Sequence, residues 1–303
     1  MTIYSSPLSN DFIKVLKHSK TYHINNDLNK LELFTCPINA NKFDYSCLEE
    51  GLLESVADFS VSRRTKEKYA GKPLTLSKKA REKFKNYKEN NGELGELLLY
   101  CFLEGHLNAP KILSKLELKT STSMYVNGSD GVHFFKTPNG DYQLIFGESK
   151  LYSNLTNGFR DAFKSVHDFI NEENQKGDQK SGIMYEKTVI SSNIFKETLN
   201  EDEEKFIEKL LYPTNDNDFF VDDAFGIFVG FEIDVDENLK KMPNSEFRNE
   251  IDKQINDIVK MKIKNIETYI SQFKLVGYNF YVYIMPFTDL DQSRKQILEN
   301  LIK

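Results

Sequence analysis

The chain has 303 residues, 39% of them apolar and 13% aromatic, enough for one large or two ordinary domains around a substantial core. No apolar run approaches the roughly 20 residues of a membrane span, and MTIYSSPLSN lacks the basic start and apolar core of a signal peptide, so the expectation is a soluble cytoplasmic protein with no membrane partner. Cys36, Cys47 and Cys101 form no CxxC pair, which argues against a disulfide framework or a structural zinc, and the net charge of -6 argues against coating nucleic acid by bulk attraction.

The first sixty residues mix short apolar runs with turn-formers. LNKLELFTCPI reads as a strand and YSCLEEGLLESVADF as a short helix, but neither can be placed on a fold. Charge is uneven from there on. Between Arg63 and Lys88 eleven basic residues stand against Glu67 and Glu82, with Tyr69, Phe84 and Tyr87 interleaved, a composition suited to phosphate contact or to a solvated helix face. Arg63, Arg64, Lys78 and Lys79 are the nucleic-acid-binding candidates of this run. Between Glu201 and Asp223 nine acids face only Lys205 and Lys209, which reads as solvated helix and loop.

Ser77 is the expected N-cap of a basic helix reaching about Lys88, where Asn90-Asn91-Gly92 interrupts it. A second helix is expected from about Glu93 to His106, ended by Asn108, Ala109 and Pro110. Leu94, Leu97, Leu98 and Cys101 fall on one of its faces; Glu93, Glu96 and Tyr100 fall on another. KLELKT (115–120) alternates like a strand, and GVHFFK (131–136) is a second strand. TPNGD (137–141) is turn chemistry, so GVHFFK and YQLIFGESK form a hairpin that returns Asp130 beside Glu148 and Lys150.

Beyond the hairpin, FRDAFKSVHDFI repeats apolar residues at helical spacing, with Thr156 or Asn157 as cap. Arg160 and Lys164 on that helix lie one turn apart and are further candidates for phosphate contact. AFGIFVGFEIDV (224–235) reads as an inner strand, residues 245–273 as a long amphipathic helix, GYNFYVYIMPF (277–287) as another buried strand, and a final helix closes the chain. The fold class expected is α/β, a mixed central sheet flanked by helices, with residues 1–76 an extension of unclear fold and 77–303 the main domain.

A helix carboxylate at Glu96, or Glu93, then Asp130 at a hairpin mouth, then Glu148-x-Lys150 on the adjacent strand is a constellation suited to phosphodiester hydrolysis. Hard oxygen ligands suit Mg²⁺ or Mn²⁺, and an ammonium two residues along the same strand face can orient or deprotonate water or steady the phosphate. His133 lies near enough to be a supporting partner, although a half-buried strand histidine is the commoner case. His18, His23, His106 and His167 are scattered without HxxxH or HExxH spacing, and there is no GxxxxGK[ST].

GELGELLLY (92–100), GSDGVHFF (128–135), FGESKLY (146–152) and YVYIMPF (281–287), in that order, resemble the PD-(D/E)xK nuclease superfamily, and more closely the HamA nucleases of Hachiman-type bacterial anti-phage defence and the related AbpA proteins. The resemblance covers about residues 92–287 and departs from the superfamily pattern in having Ser129, not proline, before Asp130. It implies a restriction-endonuclease-like core of helix, three strands, helix and strand. It implies a metal site of Asp130 and Glu148 with Glu96, catalysis by those residues with Lys150, DNA as substrate, and a helicase (HamB-like) partner. The competing reading is a catalytically inactive nuclease-fold scaffold or DNA-binding subunit of a helicase complex; a free-standing restriction-type enzyme lacks a visible recognition domain.

Overall fold

The computed structural model describes residues 7–25, 28–84, 92–118, 128–171 and 181–303. Helix α1 (Pro7–Val15) sends Phe12 into the core and leads into an antiparallel pair, β1 (Lys17–Ile24) and β2 (Asn29–Thr35). Two short strands, β3 (Ile38–Asn39) and β4 (Lys42–Phe43), form a separate ribbon. Asp44 then caps α2 (Tyr45–Ser60), which buries Leu48, Leu52, Val56 and Phe59 at helical spacing.

Ser62 caps the short α3 (Arg63–Lys68), and α4 (Pro73–Arg81) starts on a proline at its first position, where the missing N–H is not needed. Ser77 therefore lies inside a helix and caps nothing. The helix ends at Arg81, short of the expected Lys88, and residues 85–91, with Tyr87 and the Asn90-Asn91 break, fall outside the described residues. Phe84 is buried against Phe59, so it packs and is not available for base stacking.

Helix α5 (Glu93–Gly105) is buried nearly all round: from Glu93 to Glu104 only Glu96 is not buried. The leucine stripe thus understates its environment, because α5 is a core helix with neighbours on every side. Next come β5 (Lys111–Leu113) and α6 (Lys115–Leu118). The KLELKT strand is not observed: residues 115–118 make one helical turn that buries Lys115 and Leu116, and Lys119 and Thr120 fall outside the described residues. Four alternating residues do not separate a strand from a single helical turn.

The hairpin forms as its turn chemistry requires. Strands β6 (Val132–Lys136) and β7 (Tyr142–Tyr152) pair antiparallel from Val132↔Phe146 to Lys136↔Tyr142, and Gly140 supplies φ +97° in the turn. Asn154, two residues before the expected cap, caps α7 (Leu155–Ile170) by accepting the Thr156 and Asn157 N–H groups. Helices α8 (Gly182–Glu197) and α9 (Glu201–Leu211) follow; α9 carries the start of the acidic run. The chain is completed by β8 (Val221–Glu232), α10 (Glu237–Lys240), α11 (Asn244–Gln272), β9 (Asn279–Phe287) and α12 (Leu290–Ile302).

Seven strands form one mixed sheet in the order β1-β2-β9-β8-β7-β6-β5, parallel from β2 through β7 and antiparallel at both edges. Parallel strands need crossovers. Helices α7 and α11 lie on one face, where Phe163 meets both Phe280 and Tyr269. Helix α5 covers the other face, with Phe102 stacked on Phe228 and Tyr283. The N-terminal strands are part of this plan: β2 pairs in parallel with β9 from Lys30↔Tyr281 to Leu33↔Ile284.

Candidate active site

Asp130 continues the β6 ladder by one step. Its N–H donates to the Gly147 carbonyl at 2.7 Å, and its Oδ2 accepts both the Ser149 N–H at 2.6 Å and the Ser149 hydroxyl at 2.7 Å. The side-chain oxygen thus takes the place a main-chain carbonyl would hold, and this fixes the carboxylate against the strand that carries Glu148 and Lys150.

Strand parity then divides the site. Phe146 meets Phe169 of α7, and Glu148 accepts a hydrogen bond from Ser165 of α7, so even-numbered residues of β7 face that helix. Odd-numbered residues face α5: Leu99 lies against Gly147, and a Cβ on Gly95 would stand 3.0 Å from Ser149 Oγ. Only glycine at position 95 lets α5 approach the strand this closely.

On the α7 face, Lys150 Nζ donates to Glu148 Oε1 at 2.6 Å, with the two side chains 24% and 16% exposed. Burial and then the charge of Asp130 push the Glu148 carboxyl up from the usual 4.5 to about 7, which Lys150 and Ser165 offset only in part. Burial pushes the Lys150 ammonium down, but Glu148 and Asp130 outweigh it and hold the group above the usual lysine range. Two carboxylates and one ammonium therefore interact at a site short of positive charge.

A pH effect follows from the raised Glu148 carboxyl. Between pH 4.5 and about 7 the folded protein holds a proton on Glu148 that the unfolded chain has released, so this group's contribution to stability is present below 4.5 and lost as pH rises through 7. Urea unfolding in chelator at pH 5 and pH 8 is expected to show wild type losing more stability over that interval than Glu148→Gln; equal losses would contradict the assignment.

Glu96 is placed differently from the expectation. It lines a narrow cavity on the α5 face together with Asp130, Gly131, Gly147, Lys111 and His133, while Glu148 and Lys150 point to the opposite face. Asp130 is the residue common to both sides. Glu93 is buried at the start of the same helix. His133 is also buried; its Nδ1 is 2.8 Å from the Ala109 carbonyl, and burial pushes its pKa down to about 4, so it is a neutral core residue beside the cavity.

Sequence reasoning missed what positions Asp130. Lys115, from α6, donates to the Ser129 carbonyl and to Glu186 of α8, and Glu186 Oε1 accepts the Ser129 N–H at 3.0 Å. Glu186 is fully buried. Gly128 has φ +140°, and a Cβ there would stand 1.8 Å from Glu186 Oε1. The GSD segment is thus gripped by a buried ion pair that only a glycine can pass. Ser149, inside the GESK stretch itself, was open to detection, since parity turns it away from Glu148; Glu186 has no local signal because α8 has no single apolar face.

The basic candidates separate into committed and exposed groups. Arg63 is held by Glu203 at 2.9 Å and by the Glu197 carbonyl at 3.1 Å, and Arg64 Nε donates to the Thr198 carbonyl at 2.9 Å. The start of the basic run therefore docks onto the start of the acidic one, which corrects the reading of both as simply solvated or phosphate-facing. Lys78 is exposed, and Lys79 lies 5.2 Å from the Tyr69 ring centre in a groove also lined by Lys68 and Lys83. Arg160 pairs with Asp161 and Lys164 with Asp168, both exposed on α7.

Among the described residues no helix is long and apolar enough to cross a membrane. Comparison with curated proteins finds no match. The HamA family model, in contrast, matches residues 10–301, from the first helix through the last, and so spans both the β1–β2 pair and the Asp130–Glu148–Lys150 cluster. The chain belongs to the HamA family, and with it to Hachiman anti-phage defence.

Proposed function

We propose that this chain is a Mg²⁺- or Mn²⁺-dependent DNA nuclease, the effector of its defence system, working with a helicase partner. The observation that carries the reading is the fixed contact between Asp130 and the strand bearing Glu148 and Lys150. The order α5, β5, β6, β7, α7, β8, with α6 inserted before β6 and α8 and α9 before β8, supports it, since the resemblance implies a core of helix, three strands, helix and strand. On this reading residues 77–303 carry the nuclease core and residues 1–76 complete its sheet.

The donor set fits the ion. Asp130 and Glu148 offer hard oxygens, and a bound dication would offset both the burial and the Asp130 charge that raise the Glu148 carboxyl. Such a cation, when bound, supplies neutralisation of phosphate charge and a more acidic water. Lys150, whose ammonium stands 2.6 Å from Glu148 Oε1, would orient the attacking water or steady the negative charge that builds on the phosphoryl oxygens. Asp130 keeps its place through Ser149, and Glu96 lines the cavity beside Asp130 on the other face of the sheet. Glu96→Gln should therefore reduce cleavage less than Glu148→Gln.

The test is plasmid cleavage by the protein with its helicase partner, in Mg²⁺ and in EDTA. Cleavage confined to Mg²⁺ is expected; undiminished cleavage in EDTA overturns the metal requirement. For DNA contact, Lys78→Glu with Lys79→Glu should weaken binding and reduce the log-log salt slope by about two, one for each phosphate contact. Arg63→Ala should leave that slope unchanged and instead lower stability by about 1.5–3 kcal/mol, the scale of hydrogen bonds to charged groups. The reverse pattern would return Arg63 to the DNA surface.

A further inference from the structure

A second cluster lies at the far end of α5. His18 of β1, Glu32 of β2 and His106, the residue that ends α5, bring one ligand atom each to within 4.8 Å of one another. We propose that these three residues form a zinc site that ties the β1–β2 edge of the sheet to the core helix.

Two imidazoles and one carboxylate are a zinc ligand set with a fourth position left for water or solvent. His18 Nε2 already stands 2.8 Å from Glu32 Oε2, and the same oxygen accepts the Thr21 hydroxyl at 2.6 Å. Zinc bonds of about 2.0–2.2 Å at tetrahedral angles separate ligand atoms by about 3.4 Å, a spacing that falls inside the 4.8 Å within which these three ligand atoms already lie. The outer partners are those a metal-bound histidine has: His106 Nδ1 is 3.2 Å from the Tyr283 hydroxyl, which fixes that ring and leaves Nε2 for an ion. His18 stacks on Phe34 at 4.7 Å and His106 meets the same ring edge-on at 5.3 Å, so one aromatic wall holds both imidazoles. Glu32 is buried, while His18 is exposed and gives the ion a route in from solvent.

Spacing along the chain gives no zinc signature because the ligands come from three elements that meet only in the folded sheet. Glu32 and Tyr283 are register partners across β2 and β9, which sets the floor of the site. Glu96 and His106 are ten residues apart on α5, about 15 Å along the axis, so this cluster is separate from the Asp130–Glu148 site.

The experiment uses the full chain, stripped with chelator and then held in millimolar Mg²⁺ to occupy the carboxylate site. It is titrated with Zn²⁺ against a chromophoric chelator, and with Co²⁺ to read the visible bands of a tetrahedral ion. One zinc per chain and a raised melting temperature are expected. His18→Ala, at an exposed position on the edge strand, and His106→Gln, which keeps a polar partner for Tyr283, should each weaken zinc binding at least about tenfold and remove the cobalt bands. His23→Gln on the same strand should change nothing. Absence of saturable binding, equal affinity in the His18 and His106 variants, or loss of binding only in Glu148→Gln would overturn the assignment.

Discussion

Lys115→Ala should destabilise the fold by about 3–5 kcal/mol in urea unfolding, the scale on which removing one partner of a buried ion pair leaves an uncompensated charge. The remaining partner, Glu186, is fully buried, and burial already pushes its carboxyl up, with Lys115 the main opposing influence. Glu186→Leu should be similarly costly, since it strands the Lys115 ammonium. Combining Lys115→Met with Glu186→Leu should recover part of the stability, because apolar side chains of similar volume replace buried pairs well. Cleavage should not recover with it, as the Ser129 contacts that set Asp130 would be gone. Additive losses in the double variant would show that the two groups do not act as a pair.

The other large effect concerns Lys150 and Asp130. Lys150→Ala and Asp130→Asn should each lower DNA cleavage at least about a hundredfold, on the scale of removing a group that stabilises a transition state. Residues that work as a unit are non-additive, so the double variant should lose little more than either single one. Because Lys150 pairs with the buried Glu148 inside β7 and Asp130 is fixed by Ser149, cleavage is to be compared at temperatures well below each variant's own melting temperature. Multiplicative losses would mean that the two residues act independently.

The site was partly legible because its geometry is local. TPNGD fixes the hairpin, the hairpin fixes the register, and the register returns Asp130 to Glu148; eighteen residues in sequence carry the whole inference. The parallel centre was legible only as a set of buried strands. Nothing in LNKLELFTCPI says that its neighbour is the strand 251 residues later, because parallel partners leave no turn between them. Helical spacing gives the face of α5 that carries Glu96 but not the side of the sheet on which that helix packs. Arg63 was read from its charge alone, while Glu203, which holds it, stands 140 positions away. The Lys115–Glu186 grip and the His18–Glu32–His106 cluster share that cause: each joins residues from elements that only the completed fold brings together.

The most direct measurement is plasmid cleavage by wild type and Glu148→Gln, each with the helicase partner, in Mg²⁺, at matched melting temperature and matched partner binding. The substitution keeps the side-chain volume and removes one negative charge from the site that Asp130, Glu148 and Lys150 share. A loss of at least about a hundredfold is predicted, on the scale of removing a transition-state stabilising group. Equal cleavage by the two proteins would contradict the account and leave this constellation a scaffold without chemistry.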